Sequence, residues 1–153
     1  MVFVAVGTQK QQFDRLFKLI EESKILEGEE IIAQSGYTKF DTNKTKMLGF
    51  ISQEDLDKYT NECDYIICHG GVGTIFTALN KKKKVLVVPR LKKYKEHKND
   101  HQLEICKELE KDGYILYLNE DDDFDKKIME LKEKNFKEYI SNEEYLKILE
   151  ENI

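Results

Sequence analysis

The amino-acid sequence predicts an α/β fold of three layers, in which a parallel β-sheet is covered by helices on both faces. Short apolar runs alternate along the chain with segments whose apolar residues recur at helical spacing. Strands that alternate with helices in this way form parallel sheets with right-handed crossovers and bury both sheet faces. The 153 residues suffice for one domain over residues 1–153, with a core that needs no disulfide or structural metal.

The first strand and the first helix are predicted at the start of the chain. Residues Val2–Val6 are apolar throughout, as in a buried strand, and the glycine-containing loop Gly7-Thr8-Gln9 follows them. A helix is predicted over Gln11–Leu26, because four apolar residues fall on one face of that segment. They are Phe13, Leu16, Phe17 and Ile20.

Two short strands and a second helix come next. The apolar segments Ile31–Ala33 and Met47–Phe50 predict the strands. Ser52 predicts the start of the helix, because a serine at an N-cap accepts a hydrogen bond from a backbone N–H of the first turn. Asp55, three residues later, completes a weaker form of the capping box.

The middle of the chain repeats the order strand, glycine turn and helix. An apolar run over Tyr65–Cys68 leads into the turn His69-Gly70-Gly71-Val72-Gly73-Thr74, and a helical pattern continues to Asn80. Val85–Val88 predicts another strand, which Pro89 ends at a position where no ladder donor is needed.

The rest of the chain predicts three helices and one strand. A helix over Leu103–Leu109, ended by Gly113, precedes a final strand over Tyr114–Leu118. Two closing helices are predicted over Asp121–Lys134 and Ser141–Asn152.

The turn over residues 69–74 has the character of an anion site. Glycine lacks the Cβ that keeps backbone N–H groups away from a phosphate, and the following helix adds unpaired donors and a favourable dipole. His69 and Thr74 add an imidazole and a hydroxyl that can donate to phosphate oxygens. We therefore predict that the turn binds a diphosphate; the alternative is a tight strand-to-helix turn without a ligand.

The two common nucleotide motifs are incomplete or absent. Phe76 stands where a dinucleotide fingerprint requires a third glycine after Gly71 and Gly73, and the chain has no Gly-Lys-Ser/Thr of a P-loop. The loop after Val6 and the turn after Cys68 should nevertheless meet at the carboxyl edge of the sheet, where ligands bind in such folds.

Charge and composition narrow the function class. The net charge is −5, and a basic strip over Lys81–Lys98 is followed by an acidic remainder, which does not favour nucleic-acid binding. Cys63, Cys68 and Cys106 form no CxxC pair, which indicates reduced thiols in a cytoplasmic setting. No apolar stretch approaches the roughly 18 residues of a membrane span, so we expect the chain itself to be soluble.

Four segments together resemble a known enzyme family. They are Val6-Gly7-Thr8-Gln9, Phe13-Asp14-Arg15-Leu16, the glycine turn over residues 69–74, and Val87-Val88-Pro89-Arg90 with the polar stretch over residues 96–102. In this order they resemble the carboxyl-terminal, donor-binding half of GT-B glycosyltransferases, as in family 28. The chain is most similar to the small subunit of two-component enzymes of capsular and exopolysaccharide synthesis, and to the catalytic subunit of the dolichol-pathway N-acetylglucosaminyltransferase. This resemblance implies a Rossmann-like half of a GT-B fold.

The resemblance implies a donor site built from both loops. His69, Thr74 and the turn backbone would hold the diphosphate of a nucleotide sugar, residues 50–51 would line the base, and residues 101–102 would contact the sugar. Thr77 stands where relatives often carry a glutamate that binds the ribose, so this contact is expected to be weaker. The implied donor-binding residues are Gly7, Thr8, Phe50, Ile51, His69, Gly70, Gly71, Gly73, Thr74, Thr77, Arg90, His101 and Gln102.

The resemblance also implies transfer from a UDP-sugar, with no cofactor and no metal required. Backbone donors, a helix N-terminus and an imidazole can meet the charge that develops on a departing diphosphate. The sequence has no Asp-x-Asp in an element suited to bridging a metal to that diphosphate. The acceptor hydroxyl needs a general base, and Glu96, His97 and His101 are the catalytic candidates.

Half of a GT-B enzyme implies a partner. The resemblance points to a membrane-associated companion subunit that binds a lipid-linked saccharide acceptor and holds this cytoplasmic chain at the inner face of the membrane. The leading hypothesis is the donor-binding subunit of a two-component hexosyl- or N-acetylhexosaminyltransferase. The alternatives are a non-catalytic accessory subunit that stabilises or enhances a catalytic partner, and a nucleotide-binding sensor.

Overall fold

The computed structural model describes residues 1–140, whose apolar runs pair into one parallel sheet. The strands, in chain order, are β1 (Val2–Ala5), β2 (Ile31–Gln34), β3 (Thr45–Met47), β4 (Tyr65–Cys68), β5 (Lys84–Val87) and β6 (Leu116–Tyr117). Hydrogen-bonded neighbours give the order β3-β2-β1-β4-β5-β6, and every pair is parallel. The predicted parallel α/β fold is confirmed.

Helices connect the strands and cover both faces of the sheet. They are α1 (Asp14–Glu22), α2 (Gln53–Glu62), α3 (Val72–Asn80), α4 (His101–Lys111) and α5 (Phe124–Glu133), with a short 3₁₀ helix at Lys92–Tyr94. Side chains of β1 alternate: Val2 and Val4 join a core with α1 and α5, and Phe3 and Ala5 join a core with α2, α3 and α4. Because both faces are covered, the central strands β1 and β4 are buried and apolar throughout, as the sequence indicates.

The order in which strands are added to the sheet reverses between β1 and β4, which are parallel neighbours. β1 leads away to β2 on one side, and β4 leads away to β5 on the other. The loops that leave their carboxyl ends therefore diverge, and in parallel α/β folds ligands bind in the crevice outside such a switch point. The two glycine loops singled out in the sequence lie at this switch point.

The first helix is shorter than predicted. α1 spans Asp14–Glu22 instead of Gln11–Leu26, because the backbone leaves the helical range at Phe13, with a φ of −131°, and becomes extended at Ser23, with a ψ of 130°. The Gln11 carbonyl accepts from Arg90 Nη1 at 2.9 Å, and the Phe13 N–H donates to Thr38 Oγ1 at 3.1 Å.

Other boundaries move by a few residues. The strand predicted over Met47–Phe50 occupies Thr45–Met47 and ends before Gly49, whose φ of +68° turns the chain. The final strand is restricted to Leu116–Tyr117, and α4 begins earlier than predicted, at His101. The predicted N-cap is confirmed, since Ser52 Oγ accepts from the Asp55 N–H at 3.1 Å.

Three further expectations concern the cysteines, a membrane-spanning helix and the last predicted helix. The cysteines Cys63, Cys68 and Cys106 are free and buried, in agreement with reduced thiols. No helix found in the part of the chain that the structure describes has the length and apolar character needed to cross a bilayer. The helix predicted over Ser141–Asn152 lies outside the described residues.

Candidate functional site

The loop after β1 is held by a buried glutamine. Gln34 Oε1, at the end of β2, accepts from the N–H groups of Val6 at 3.1 Å and Gly7 at 3.0 Å, and its Nε2 donates to the Gly7 carbonyl at 3.0 Å. Gly7 has a φ of +81°, which L side chains rarely adopt. Sequence reasoning missed Gln34; the available signal is a polar residue at the end of an otherwise apolar strand.

The turn after β4 is held by a second buried glutamine. Gln102 Oε1 accepts from the N–H groups of Gly70 at 3.0 Å and Arg90 at 3.1 Å, and Gln102 Nε2 lies 3.2 Å from His69 Nδ1. A Cβ on Gly70 would lie 2.5 Å from Gln102 Cβ, so only glycine permits this contact. The side chain of Gln102 thus faces the turn, which differs from the contact with the donor sugar that the resemblance implied.

The His69 ring lies between the two loops, close to both. A Cβ on Gly7 would lie 2.7 Å from His69 Nε2, and a Cβ on Gly71 would lie 2.6 Å from the same atom. The two bare backbones therefore make room for the ring, and the structure brings Gly7, His69 and Gly71 together as predicted. Gln9 Oε1 lies beside Gly7 and is buried without a partner within residues 1–140. Sequence analysis included Gln9 in a motif but did not place it in the site.

His69 is a neutral imidazole at physiological pH. It is only 4% exposed, and burial, with smaller contributions from Arg90 and His97, lowers its pKa to about 3. The ring therefore serves as a hydrogen-bonding group and not as a cation.

This lowered pKa predicts a specific dependence of stability on pH. The unfolded chain binds a proton at position 69 below pH about 6.5, whereas the folded chain does not until near the lowered pKa, so His69 costs stability as the pH falls. Between pH 6 and pH 5 we expect the wild type to lose about 1 kcal/mol per pH unit more than His69→Gln. Urea unfolding at several pH values measures this, and parallel curves for the two proteins would contradict it.

The first turn of α3 adds further donors to the site. Its N-cap is Gly71, and no side chain caps it, so the first N–H groups of the helix are free of side-chain partners. A Cβ on Gly73 would meet no atom within 4 Å, which leaves the surface of this turn open. Thr74 is half-buried on the same turn, and Thr77 Oγ1 donates to the Gly73 carbonyl at 2.8 Å. The Thr77 hydroxyl therefore donates its proton within the helix, and toward a ribose its oxygen could act only as an acceptor.

Arg90 lies beneath the site and not in it. Its guanidinium is fully buried and donates to the carbonyls of Val6 at 2.8 Å, Gln11 at 2.9 Å and Glu96 at 3.0 Å. It also lies over the Phe13 ring, 4.7 Å from the centroid. The predicted direct contact of Arg90 with the donor is thus replaced by a structural role, because every face of the group is occupied. Burial lowers its pKa to about 10, so its positive charge persists behind the two loops.

Glu96 is engaged in the same way. Its Oε1 accepts from Arg15 Nη2 at 2.8 Å and from the Leu91 N–H at 3.1 Å, and its Oε2 accepts from Arg15 Nε at 3.0 Å. Arg15 Nη2 also donates to the Pro89 carbonyl at 2.9 Å. The carboxylate is buried and holds the loop after β5, which argues against Glu96 as the general base.

The two other candidate bases lie on that loop and at the start of α4. His97 is half-buried, its Nδ1 accepts from the Asn99 N–H at 3.3 Å, and burial and the nearby Arg90 lower its pKa. His101 Nδ1 is buried and has no hydrogen-bond partner among residues 1–140. Both imidazoles stay candidates for the base.

Comparison with known proteins decides the family. The model of the glycosyltransferase family 28 C-terminal domain matches residues 1–150. The chain belongs to this family. This match confirms the predicted resemblance to the carboxyl-terminal half of GT-B glycosyltransferases.

Two curated relatives of this family 28 domain have the name UDP-N-acetylglucosamine transferase subunit ALG13. The protein of Candida albicans is 30% identical over 109 residues, and that of Homo sapiens is 30% identical over 127 residues. The alignments cover 71% and 76% of this chain, but 35% and 11% of the relatives. The chain therefore spans a minor part of the length of the curated relatives it matches.

Two solved glycosyltransferase structures share the fold of the family 28 domain. The glycosyltransferase of kitacinnamycin has a TM-score of 0.62 at 13% identity and covers 99% of this chain and 38% of its own. SnogD from Streptomyces nogalater has a TM-score of 0.55 at 19% identity and covers 86% of this chain and 35% of its own. At these identities the likeness concerns the fold alone.

The remaining predicted positions lie around the rim of the family 28 domain. Thr8 is exposed, and Ile51 is half-buried against the core that includes α3. Phe50 is 53% exposed and meets Tyr37 edge-on, with ring centroids 4.7 Å apart. The rim thus offers an aromatic surface at the carboxyl edge, and its contact with a base stays a prediction.

Two acidic side chains just before α5 accept hydrogen bonds from backbone N–H groups of the domain. Asp123 caps that helix by accepting from the Lys126 N–H at 2.9 Å, and Asp122 accepts from the Asn119 N–H at 2.8 Å. Within residues 1–140, the His, Cys and acidic side chains form no group of three suited to a metal ion.

Proposed function

We propose that the chain is the donor-binding subunit of a two-component glycosyltransferase, which transfers a hexose or N-acetylhexosamine from a UDP-sugar to a lipid-linked saccharide. The observation that carries the proposal is the His69 imidazole enclosed by Gly7 and Gly71 beside an uncapped helix. Family membership supports sugar transfer. The names of the relatives, which are subunits of UDP-N-acetylglucosamine transferases, support a UDP-sugar donor and a companion subunit.

The site is suited to a diphosphate leaving group. The N–H groups of the first turn of α3 have no side-chain cap, the surface at Gly73 is open, and the helix dipole favours negative charge at this end of the helix. His69 adds a neutral side-chain group, and Arg90 adds a positive charge from behind the loops. Such fixed donors can stabilise charge as it develops on the diphosphate, so we propose a reaction with no obligatory cofactor.

The acceptor and its activation belong to the other half of the enzyme. We propose a membrane-associated companion subunit that presents the lipid-linked saccharide across the crevice and holds this domain at the inner, cytoplasmic face. His97 or His101 would then take the proton of the acceptor hydroxyl, because Glu96 is paired with Arg15.

Titration of the purified chain with UDP tests the proposal directly. We expect heat of binding at the wild-type site and at least a tenfold weaker affinity for His69→Ala, because a hydrogen bond to a charged phosphate contributes about 1.5 to 3 kcal/mol. Isothermal titration calorimetry at fixed salt and pH measures both constants.

The matched control is Met129→Ala, an exposed position on α5. This variant should bind UDP like the wild type. An absence of binding at saturating UDP, or equal affinities for wild type and His69→Ala, would refute the proposal.

One observation favours a second function, that of a non-catalytic accessory subunit. The Thr77 hydroxyl donates to Gly73 within α3, so the ribose position offers neither a carboxylate nor a free donor. An accessory subunit would raise the activity of its companion with UDP-sugar even when His69 is replaced by alanine. A donor-binding subunit would lose transfer with the same variant, so an assay of the reconstituted pair separates the two.

A further inference from the structure

We infer that Gln102 is a positioning residue for His69: it fixes the imidazole as the tautomer with its proton on Nε2 and so presents that N–H to the gap between the two glycine loops. The inference rests on the proposed function, because the group that this N–H would address is the donor diphosphate. Gln102 itself does not reach the ligand, since its amide is occupied within the protein.

The orientation of the Gln102 amide follows from its partners. Gly70 and Arg90 present backbone N–H groups, at 3.0 and 3.1 Å, to the same atom of the amide. A backbone N–H only donates, so that atom must be the carbonyl oxygen. The other atom of the amide is then the NH₂ group, which only donates, and it faces His69 Nδ1 at 3.2 Å.

The Gln102 NH₂ group also fixes where the imidazole proton lies. Since Nδ1 receives a donor, it must carry a lone pair, and the neutral ring then has its proton on Nε2. Arg90 and His97 are the charged or titratable groups that act on the ring, and both oppose a second proton, as burial does. Among residues 1–140 no acceptor is hydrogen-bonded to Nε2, and this atom borders the positions that a Cβ of Gly7 or Gly71 would take.

Gln102 thereby joins three parts of the site. From α4 it holds the glycine turn through Gly70, the exit of β5 through Arg90, and the imidazole of His69. A donor prepared in this way needs no proton uptake to meet a phosphate oxygen. Its contribution to binding should therefore be constant over the pH range in which free imidazole titrates.

The tautomer can be read by NMR on the ¹⁵N-labelled full chain without ligand. Long-range ¹H–¹⁵N correlations of the imidazole, assigned by their loss in His69→Gln, should show Nδ1 unprotonated and Nε2 protonated from pH 5 to pH 8. A protonated Nδ1 in the wild type, or titration of His69 within this range, would overturn the inference.

Gln102→Glu isolates the contact with His69. One carboxylate oxygen can still accept from the Gly70 and Arg90 N–H groups, which favour the ionised form, and the second oxygen replaces the NH₂ donor at Nδ1. We expect the Nδ1 signal to move into the protonated range. Gln53→Glu is the matched control, because Gln53 is exposed at the start of α2, bonds to Asp57 and contacts neither glycine loop; it should leave the His69 signals unchanged. A wild-type pattern in Gln102→Glu would overturn the inference.

Addition of UDP separates this inference from the proposed function. UDP should shift the Nε2–H signal of wild-type His69 and leave Nδ1 unprotonated. UDP that binds by calorimetry without moving the Nε2–H signal would overturn the inference and leave the proposed function standing. The expected tautomer in a protein that binds no UDP would overturn the proposed function and leave the role of Gln102 toward His69 standing.

Discussion

Replacement of Arg90 by leucine is expected to destabilise the fold by about 3 to 5 kcal/mol. The guanidinium is the donor for the carbonyls of Val6, Gln11 and Glu96, and all three bonds lie in or near the buried interior. Leucine fills part of the volume but leaves these acceptors without a partner, and each such loss costs roughly 1 kcal/mol or more. A domain of this size has about 5 to 15 kcal/mol of stability in total, so the loss is a large fraction.

Urea unfolding followed by circular dichroism measures the change. Arg90→Lys should lie between the wild type and the leucine variant, because a single ammonium can serve only some of the carbonyls. Lys93→Met is the matched control: it removes an exposed cation from the same loop, where Lys93 pairs with Glu120, and should change little. A leucine variant no less stable than Lys93→Met would show that the carbonyls find other donors.

Replacement of Gly71 by alanine is expected to lower the affinity for UDP by at least a hundredfold, or about 2.7 kcal/mol. The φ of Gly71 is −74°, so alanine is acceptable to the backbone itself. The added Cβ would, however, lie 2.2 Å from His69 Cε1, and Gln102 holds that ring from its other side. Either the ring or the turn must move, and both belong to the proposed diphosphate site.

Gly73→Ala provides the matched comparison two residues further on. No atom lies within 4 Å of its added Cβ, and alanine is the better helix former by about 1 kcal/mol, so the fold should be slightly stabilised. A phosphate held on the first turn of α3 would meet the new methyl group, so this variant should lose UDP affinity without losing stability. Full UDP affinity in both variants would place the nucleotide elsewhere on the protein.

The strands and the glycine turn could be predicted because their signals are local. The apolar runs at β1, β4 and β5 need no knowledge of their neighbours, since strands covered on both faces are apolar throughout. The prediction that the turn binds an anion likewise depends on residues consecutive in the chain. The predicted start of α1 was wrong because the backbone at Gln11 and Phe13 is hydrogen-bonded to Arg90 and Thr38, which are distant in sequence.

The polar interior of the site could not be predicted for the same reason. Arg90 and Glu96 have the residue types of a binding cation and a catalytic base, and only the fold shows that carbonyls and Arg15 occupy them. For Gln34 the sequence shows a polar residue at the end of an apolar strand but not its role, because its partners lie at Val6 and Gly7, across the pairing of β1 and β2. Composition reveals which groups can form hydrogen bonds; topology decides which of them are left for a ligand.

Two arginines connect the two halves of the sheet, of which the first contains β1, β2 and β3 and the second contains β4, β5 and β6. Arg90, after β5, donates to the carbonyls of Val6 and Gln11 in the first half, and Arg15, on α1, binds Glu96 and the Pro89 carbonyl in the second. Separation of β1 from β4 would break both sets of bonds and uncover His69 in a single event. Formation of the pocket and joining of the two halves are thus one cooperative transition. A nucleotide that binds both loops would therefore stabilise the entire domain against unfolding.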